Sequence, residues 1–331
     1  MKYFLLGAFS SAFFLYGIAL LYGYAGTVDL SGIADAVSAN TGSDTLLVAG
    51  TALVSVGLLF KIGAAPFHSW TPDVYQGAPT PITGFMAAGT KVAAFGAMLR
   101  VLYVGVGGLS WSWTPVLWGV AILTMIIGSV VALTQTDVKR LLAYSSIAHA
   151  GFVLVGLIGT DAITDDGEVL GVSSVLFYLL AYGFSTIAAF AVVTLVRDSA
   201  GEATHLSQWA GLARRSPITA GVFTFLLAAF AGIPLTSGFT AKFVVFRAAW
   251  TSGNWVLVVI GVVMSAIAAF FYFRVIVLMF FSAPAPEGPS VAVPSPLTTI
   301  SIAIGVGVTL LLGVWPTQVL ELAGNASQLV R

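Results

Sequence analysis

The sequence predicts an all-α, polytopic membrane protein of about nine transmembrane helices, two of them discontinuous, and three observations carry that reading. Of the 331 residues, 58% are apolar and only 8% charged, against about 25% charged in an ordinary soluble domain. The mean hydropathy is +1.01. Residues 3–28, 169–196, 216–241 and 248–273 contain no Asp, Glu, Lys, Arg or His, and each run exceeds the roughly 20 apolar residues needed to cross a hydrocarbon core of about 30 Å.

The spans fall near 3–25, 45–67, 82–104, 115–135, 138–160, 171–196, 217–249, 255–281 and 297–316. The first follows Met1-Lys2, and its apolar run is much longer than the roughly 7–15 residues of a signal-peptide core. The second carries Lys61, the third carries Lys91 near its middle, and the fifth carries His149. The sixth is free of charge, and the seventh holds Lys242. Before the ninth comes a connector, 282–296, with five prolines, which reads as extended chain. All nine are long blocks of Leu, Ala, Val and Gly, not the alternating segments of about ten residues that a β-barrel needs.

Composition excludes several kinds of function. Thirteen basic and thirteen acidic residues leave no net charge, and no Lys/Arg run exists to follow a nucleic-acid backbone. The chain has no cysteine and three dispersed histidines, so it offers no thiolate metal site, no iron–sulfur ligation and no metal-ligand spacing. Gly105, Gly107 and Gly108 read as a loop and lack the Lys and Ser/Thr of a phosphate cradle. Aromatic residues at 70, 75, 111, 113 and 209 suit an interfacial belt.

Loop charge sets the orientation, because short cytoplasmic loops collect Lys and Arg. The linker 26–44 holds Asp29, Asp35 and Asp44, and the segment 161–170 holds Asp161, Asp165, Asp166 and Glu168, both without a base. Lys139, Arg140, Arg197, Arg214 and Arg215 fall on the opposite side by span parity. That side is expected to be cytoplasmic, with Lys2 inside and the C-terminal tail outside.

Three lysines lie within spans, where a charge costs about 2.5–3.5 kcal/mol even on a mild insertion scale. Lys61 and Lys242, nearer span ends, have a bland alternative in snorkelling to an interface; Lys91 is too far from either end. Lys61 precedes Gly63 and Pro66, and Lys242 follows Gly232, Pro234 and Gly238. Proline removes a donor and clashes with the preceding turn, so both helices should break near a lysine. The seventh span, 33 residues in 217–249, would run about 50 Å as a straight helix, which a break relieves. The broken spans are the second and the seventh, an odd five positions apart, so they cross in opposite directions, as inverted-topology repeats require. Lysine suits proton transfer because desolvation disfavours its charged form. His68 and His149 titrate near neutrality unaided, although a lone buried histidine is more often a packed polar group.

Three strings carry a family resemblance. The first runs Phe60-Lys61-Ile62-Gly63-Ala64-Ala65-Pro66-Phe67-His68-Ser69-Trp70-Thr71-Pro72-Asp73-Val74-Tyr75 and on to Pro81, with Thr90-Lys91-Val92-Ala93-Ala94-Phe95 behind it. The second is Asp137-Val138-Lys139-Arg140-Leu141-Leu142-Ala143-Tyr144-Ser145-Ser146-Ile147-Ala148-His149-Ala150-Gly151, and the third is Gly232-Ile233-Pro234-Leu235-Thr236-Ser237-Gly238-Phe239-Thr240-Ala241-Lys242-Phe243. Together they resemble the antiporter-like subunits of respiratory complex I, the NADH:quinone oxidoreductase, and the Trp-Thr-Pro-Asp-Val-Tyr form is most similar to the bacterial N type.

The resemblance implies a fourteen-helix proton-channel fold of two inverted five-helix repeats. It assigns 1–110 to the remaining three helices of the first repeat, 111–282 to the second repeat, and 283–331 to the connector and final helix. By position in the motifs, Lys61, Lys91 and Lys242 look like the proton-transferring lysines, with Lys2, His68, Lys139 and His149 as weaker members of the polar axis. NADH, flavin, iron–sulfur clusters and quinone are expected in other subunits, and no cofactor in this chain. The expected surroundings are a bacterial plasma membrane and neighbours of the K and M types. The chain begins at what resembles the family's sixth helix, so the five before it, including the one bearing the first lysine's glutamate partner, are expected to be missing, either because the product is truncated or split or because another polypeptide supplies them. Glu168, Glu202, Glu287 and Glu321 all read as loop or tail residues. Two other readings share these features: a subunit of a multi-subunit cation/proton antiporter, and a nonconducting structural fragment.

Overall fold

A computed structural model describes residues 1–39, 44–160, 170–199, 201–284 and 288–327. The acidic residues Asp161, Asp165, Asp166 and Glu168, and also Glu287, lie outside these. The described elements are α1 (Lys2–Ala25), α2 (Leu30–Ala39), α3 (Asp44–Ile62), α4 (Thr71–Gly77), α5 (Thr80–Leu99), α6 (Ser110–Ala132), α7 (Val138–Ile158) and α8 (Gly171–Val193). Then come β1 (Val196–Asp198), β2 (Gly201–Glu202), α9 (Leu212–Arg215), α10 (Pro217–Ala231), α11 (Ser237–Thr251), α12 (Trp255–Phe281), β3 (Ser290–Val291), α13 (Pro296–Val314) and α14 (Thr317–Ser327).

Among the described residues, eight helices are long and apolar enough to cross a membrane. The seventh predicted span, 217–249, is not among them because it is two half-length helices, α10 and α11. Gly232 ends α10 in the left-handed region at φ 86°, and the chain passes Pro234 and Leu235, itself at φ 69°, before α11 begins. The second predicted span, 45–67, is likewise shortened. Gly63 at φ 75° stops α3 at Ile62, and irregular chain leads to the short α4.

Glycines let the helices approach closely, which is how apolar helices associate where lipid is as apolar as a side chain. A Cβ on Gly128 of α6 would lie 2.3 Å from the Ala148 nitrogen of α7, and one on Gly17 of α1 would lie 2.7 Å from the Val54 nitrogen of α3. α13 uses Gly305, Thr309 and Gly313, spaced four apart on one face. Gly305 abuts Ala188 of α8, Thr309 hydrogen-bonds Ser185 at 2.8 Å, and Gly313 sits against the Leu235 carbonyl in the break. The centre is α7, buried along nearly its whole length. It is capped by the Asp137 carboxylate, which accepts from the backbone nitrogens of Lys139 and Arg140 at 2.9 and 3.0 Å. This satisfies donors that a helix start leaves open.

Several expectations are corrected. The linker 26–44 contains α2, whose Ile33 is buried and whose Ala36 carbonyl accepts from Tyr24 at 3.2 Å. The glycines at 105, 107 and 108 belong to tight π and 3₁₀ turns spanning Arg100–Gly105 and Gly107–Leu109, not an open loop. The proline-rich connector supplies β3, which joins β2 and β1 in a small antiparallel sheet ordered β2-β1-β3. α14 follows the final span. Trp70, Tyr75, Trp113 and Trp209 are buried, not belt residues, because each sends its polar tip to a partner inside the protein: the Phe60 carbonyl, the Ser146 hydroxyl, the Val106 carbonyl and the Ala203 carbonyl. Trp111, 76% exposed, alone fits the belt.

Candidate functional site

Each break leaves carbonyls at a helix C-terminus without intrahelical partners, and these form the negative end of the half-helix dipole. A buried lysine occupies each position. Lys91 of α5 donates through Nζ to the carbonyl of Ile62, the last residue of α3, at 2.7 Å. Lys242 of α11 donates to the carbonyls of Phe230 and Ala231, the last residues of α10, both at 2.9 Å, and to Ser265 Oγ of α12 at 2.7 Å. Its ammonium also lies 5.1 Å from the centre of the Phe152 ring, within cation–π range. Lys91 is 3% exposed and Lys242 6%, so neither snorkels.

His149 stands on α7 near Lys242. Its Nδ1 is 2.7 Å from the Tyr178 hydroxyl and its Nε2 is 3.3 Å from the Tyr272 hydroxyl, which in turn bonds the Ser145 hydroxyl. A cavity of about 10 Å³, room for roughly one water, is lined by His149, Tyr178, Tyr182, Ser185 and Phe230 among others, between α7, α8 and α10. On the α4 side of the same helix, the Tyr75 hydroxyl meets Ser146 Oγ at 3.3 Å. Hydroxyl and imidazole groups donate and accept, so the linked set Tyr178–His149–Tyr272–Ser145 and the separate pair Tyr75–Ser146 are each chemically able to pass a proton, whereas the surrounding Phe and Leu side chains are not.

The remaining predicted residues are placed differently. Lys61, expected to be one of a chain of buried lysines, is exposed and has no hydrogen bond or ion pair among the described residues. The cause is local: the rest of the last turn of α3, from Leu58 to Phe60 and Ile62, packs inward, and no described element covers the opposite face. His68 lies half-buried in the first break, with Nδ1 buried and unbonded. Lys2 is at the surface, where it and Arg140 flank Asp73 at 2.6 and 2.8 Å. Those two cations hold the Asp73 carboxyl below its usual range. Lys139 is buried, donates to the Ala78 carbonyl at 2.8 Å and lies 3.6 Å from Glu202.

Sequence reasoning missed Ser145, Ser146, Tyr178, Tyr272 and Ser265, since a hydroxyl in an apolar run carries no signal of its own. It also read Glu202 only as a loop or tail residue and drew no link to Lys139. The pairing depends on a backbone bridge between Asp137 and His205, which no local pattern announces. Among the described residues no group of His, Asp and Glu could hold a metal ion.

Two interrupted membrane helices, each ending on a buried ammonium, set this chain in the class of discontinuous-helix membrane proteins. The chain belongs to the family described as NADH:quinone oxidoreductase/Mrp antiporter, TM, whose family model matches residues 1–268. It is 66% identical over 331 residues to NADH-quinone oxidoreductase subunit N of Rhodococcus opacus strain B4, covering 100% of this chain and 60% of that one. A chain of the Thermus thermophilus respiratory complex I with bound aureothin is 36% identical with a TM-score of 0.81, over 97% of this chain and 67% of that one. A chain of the Mrp complex from Dietzia sp. DQ12-45-1b is 25% identical with a TM-score of 0.85, over 98% and 66%. The chain thus spans about 60% of the length of the curated relatives it matches.

Proposed function

We propose that this chain forms the larger part of an N-type, proton-translocating subunit in the membrane arm of an NADH:quinone oxidoreductase. The observation that carries the reading is Lys242: a buried ammonium held by the two terminal carbonyls of a broken helix and by Ser265, next to a histidine with hydroxyls on both ring nitrogens. Such an amine has no packing role that an apolar side chain would not fill better. The similarity to subunit N over the full chain length supports the choice of complex.

In this reading Lys91 and Lys242 alternate between ammonium and amine. Each ammonium is stabilised by helix-end carbonyls, and protonation of one raises the cost of protonating its neighbours. Lys61 takes part once its exposed face is covered by further membrane segments, and His68, Lys139 and Lys2 line the approaches. We assign 1–110 to the remaining three helices of the first inverted repeat, 111–282 to the second and 283–331 to the connector and end helix. NADH, flavin, iron–sulfur clusters and quinone are placed in other subunits, K-type and M-type subunits flank this one, and the C-terminus faces out from a bacterial plasma membrane.

A second reading, a subunit of a multi-subunit cation/proton antiporter, is favoured by the likeness to the Mrp chain. Vesicles carrying the assembled complex separate the two. NADH-driven proton uptake that is inhibited with quinone reduction and indifferent to sodium supports the oxidoreductase; sodium-dependent proton exchange without NADH supports the antiporter.

A further inference from the structure

The end of the bundle that carries the basic loops holds another buried ammonium. Lys139, 3% exposed, has Glu202 as its one carboxylate within ion-pair distance among the described residues. Glu202 is 24% exposed on its side chain, so one side of the carboxylate meets water while the other faces the interior. Its Oε2 also accepts a hydrogen bond from the hydroxyl of Thr80, a fully buried residue at the start of α5, the helix that bears Lys91.

This position is built by the fold. β2 carries Glu202 opposite Arg197 of β1, which gives the carboxylate a second, exposed cationic neighbour, since directly opposed residues share a face. The chain after β2 is stitched to α7 by Val138 N donating to the Thr204 carbonyl and Leu206 N donating to the Thr136 carbonyl, both at 2.7 Å. The other ionisable groups nearby are engaged. Asp137 caps α7 and accepts from Gln76, Asp198 accepts from Gln208, Arg140 pairs with Asp73, and His205 bonds Ser207.

Polar groups continue inward from Thr80. One turn along α5, Thr83 donates to the Tyr75 carbonyl at 3.2 Å, and the Tyr75 hydroxyl meets Ser146. The adjacent Ser145 bonds Tyr272, which contacts His149. We propose that Glu202 is a proton-exchange residue at this mouth, acting on Lys139. Hydronium gives its proton to a Glu202 carboxylate oxygen, forming the O–H bond and leaving water. The neutral carboxyl no longer balances the Lys139 charge, so the buried ammonium is disfavoured and releases its proton inward. The proton that Lys139 gives up passes to water on the inner side, forming hydronium there. The Glu202 carboxyl then transfers its proton to the Lys139 amine, which restores carboxylate and ammonium, so each cycle takes one proton from hydronium at the mouth and delivers one inward. The inference rests on the proton-translocation reading above.

The test uses membranes carrying the complete assembled complex, with proton translocation measured across a range of pH. Glu202→Gln keeps the size and the acceptor oxygen for Thr80 but cannot titrate. It is expected to slow translocation at least threefold and to remove a limb of the pH profile, and Glu202→Asp is expected to restore part of both. A Glu202→Gln complex with the unaltered rate and profile overturns the proposal. If that variant does not assemble, Glu202→Asp is read alone: slowed translocation in an assembled complex supports the proposal and an unchanged rate overturns it. Lys242→Met is run beside them. Loss of translocation there with none in Glu202→Gln removes only this inference, whereas no loss in Lys242→Met removes the proton-translocation reading itself.

Discussion

Lys91 Nζ lies 2.7 Å from the carbonyl oxygen of Ile62, so a lysine of one helix closes the broken end of its neighbour. Lys242 does the same for α10, whose last two carbonyls it takes. The two lysines share one electrostatic device although one stands on a neighbouring helix and the other just beyond the break. Replacing Lys91 with Met keeps the stem and removes the donor. The expected cost is about 1–3 kcal/mol of stability from a buried carbonyl left unpaired, with folding retained and proton transfer reduced at least tenfold. Thermal unfolding of the purified protein and translocation by the assembled complex check the two parts separately.

The histidine relay makes a sharper chemical prediction. Tyr272→Phe deletes a hydroxyl that joins Ser145 to His149 and leaves the ring in place. Translocation should fall severalfold, and the His149 imidazole resonances should move in an NMR spectrum. A variant with unchanged rate and unchanged resonances would remove His149 from the path.

At the surface, Lys2 and Arg140 clasp Asp73, tying the start of α1 and the start of α7 to α4. Because the folded carboxyl is held below its ordinary value, the clasp contributes stability at pH values above the unfolded carboxyl's pKa of about 4. That contribution is lost as pH falls through the lower folded value. Asp73→Asn should therefore lower the melting temperature slightly at neutral pH, since an exposed ion pair is worth little. The difference should vanish in strong acid. Melting curves of both proteins from neutral to acid pH read it directly.

Packing predicts a different class of loss. Gly128→Leu pushes a side chain into the Ala148 backbone, where even a Cβ would be 2.3 Å away, and should cost at least about 1–3 kcal/mol as overpacking does. Gly119 on the same helix meets nothing within 4 Å, so Gly119→Leu should be nearly neutral. Comparing the two by detergent unfolding separates close packing from a general effect of losing glycine.

Much of this arrangement is legible in the sequence because lipid imposes strict terms. A helix must be long and apolar, and a proline or a lysine within it has to be explained. Hence the eight spanning helices, the breaks after Ile62 and Ala231, and the burial of Lys91 and Lys242 can be read from residues alone. The rest depends on which faces meet. Lys61 reads like Lys242, a lysine beside Gly and Pro, yet it is exposed because no described element covers its side of α3. Trp70 and Trp209 look like belt residues until their indole nitrogens are seen to donate to the Phe60 and Ala203 carbonyls. Glu202 gives no local sign of Lys139 because 63 residues separate them in the chain, and a two-residue strand brings them together.

The most direct test of the account is the number of protons translocated per electron by the assembled complex carrying Lys242→Met, with Lys242→Arg as the charge-retaining control. The account predicts that Lys242→Met assembles and lowers this ratio. Lys242→Arg should also lower it, because a guanidinium that does not deprotonate cannot cycle. An assembled Lys242→Met complex with the unaltered ratio would contradict the claim that this buried amine carries protons.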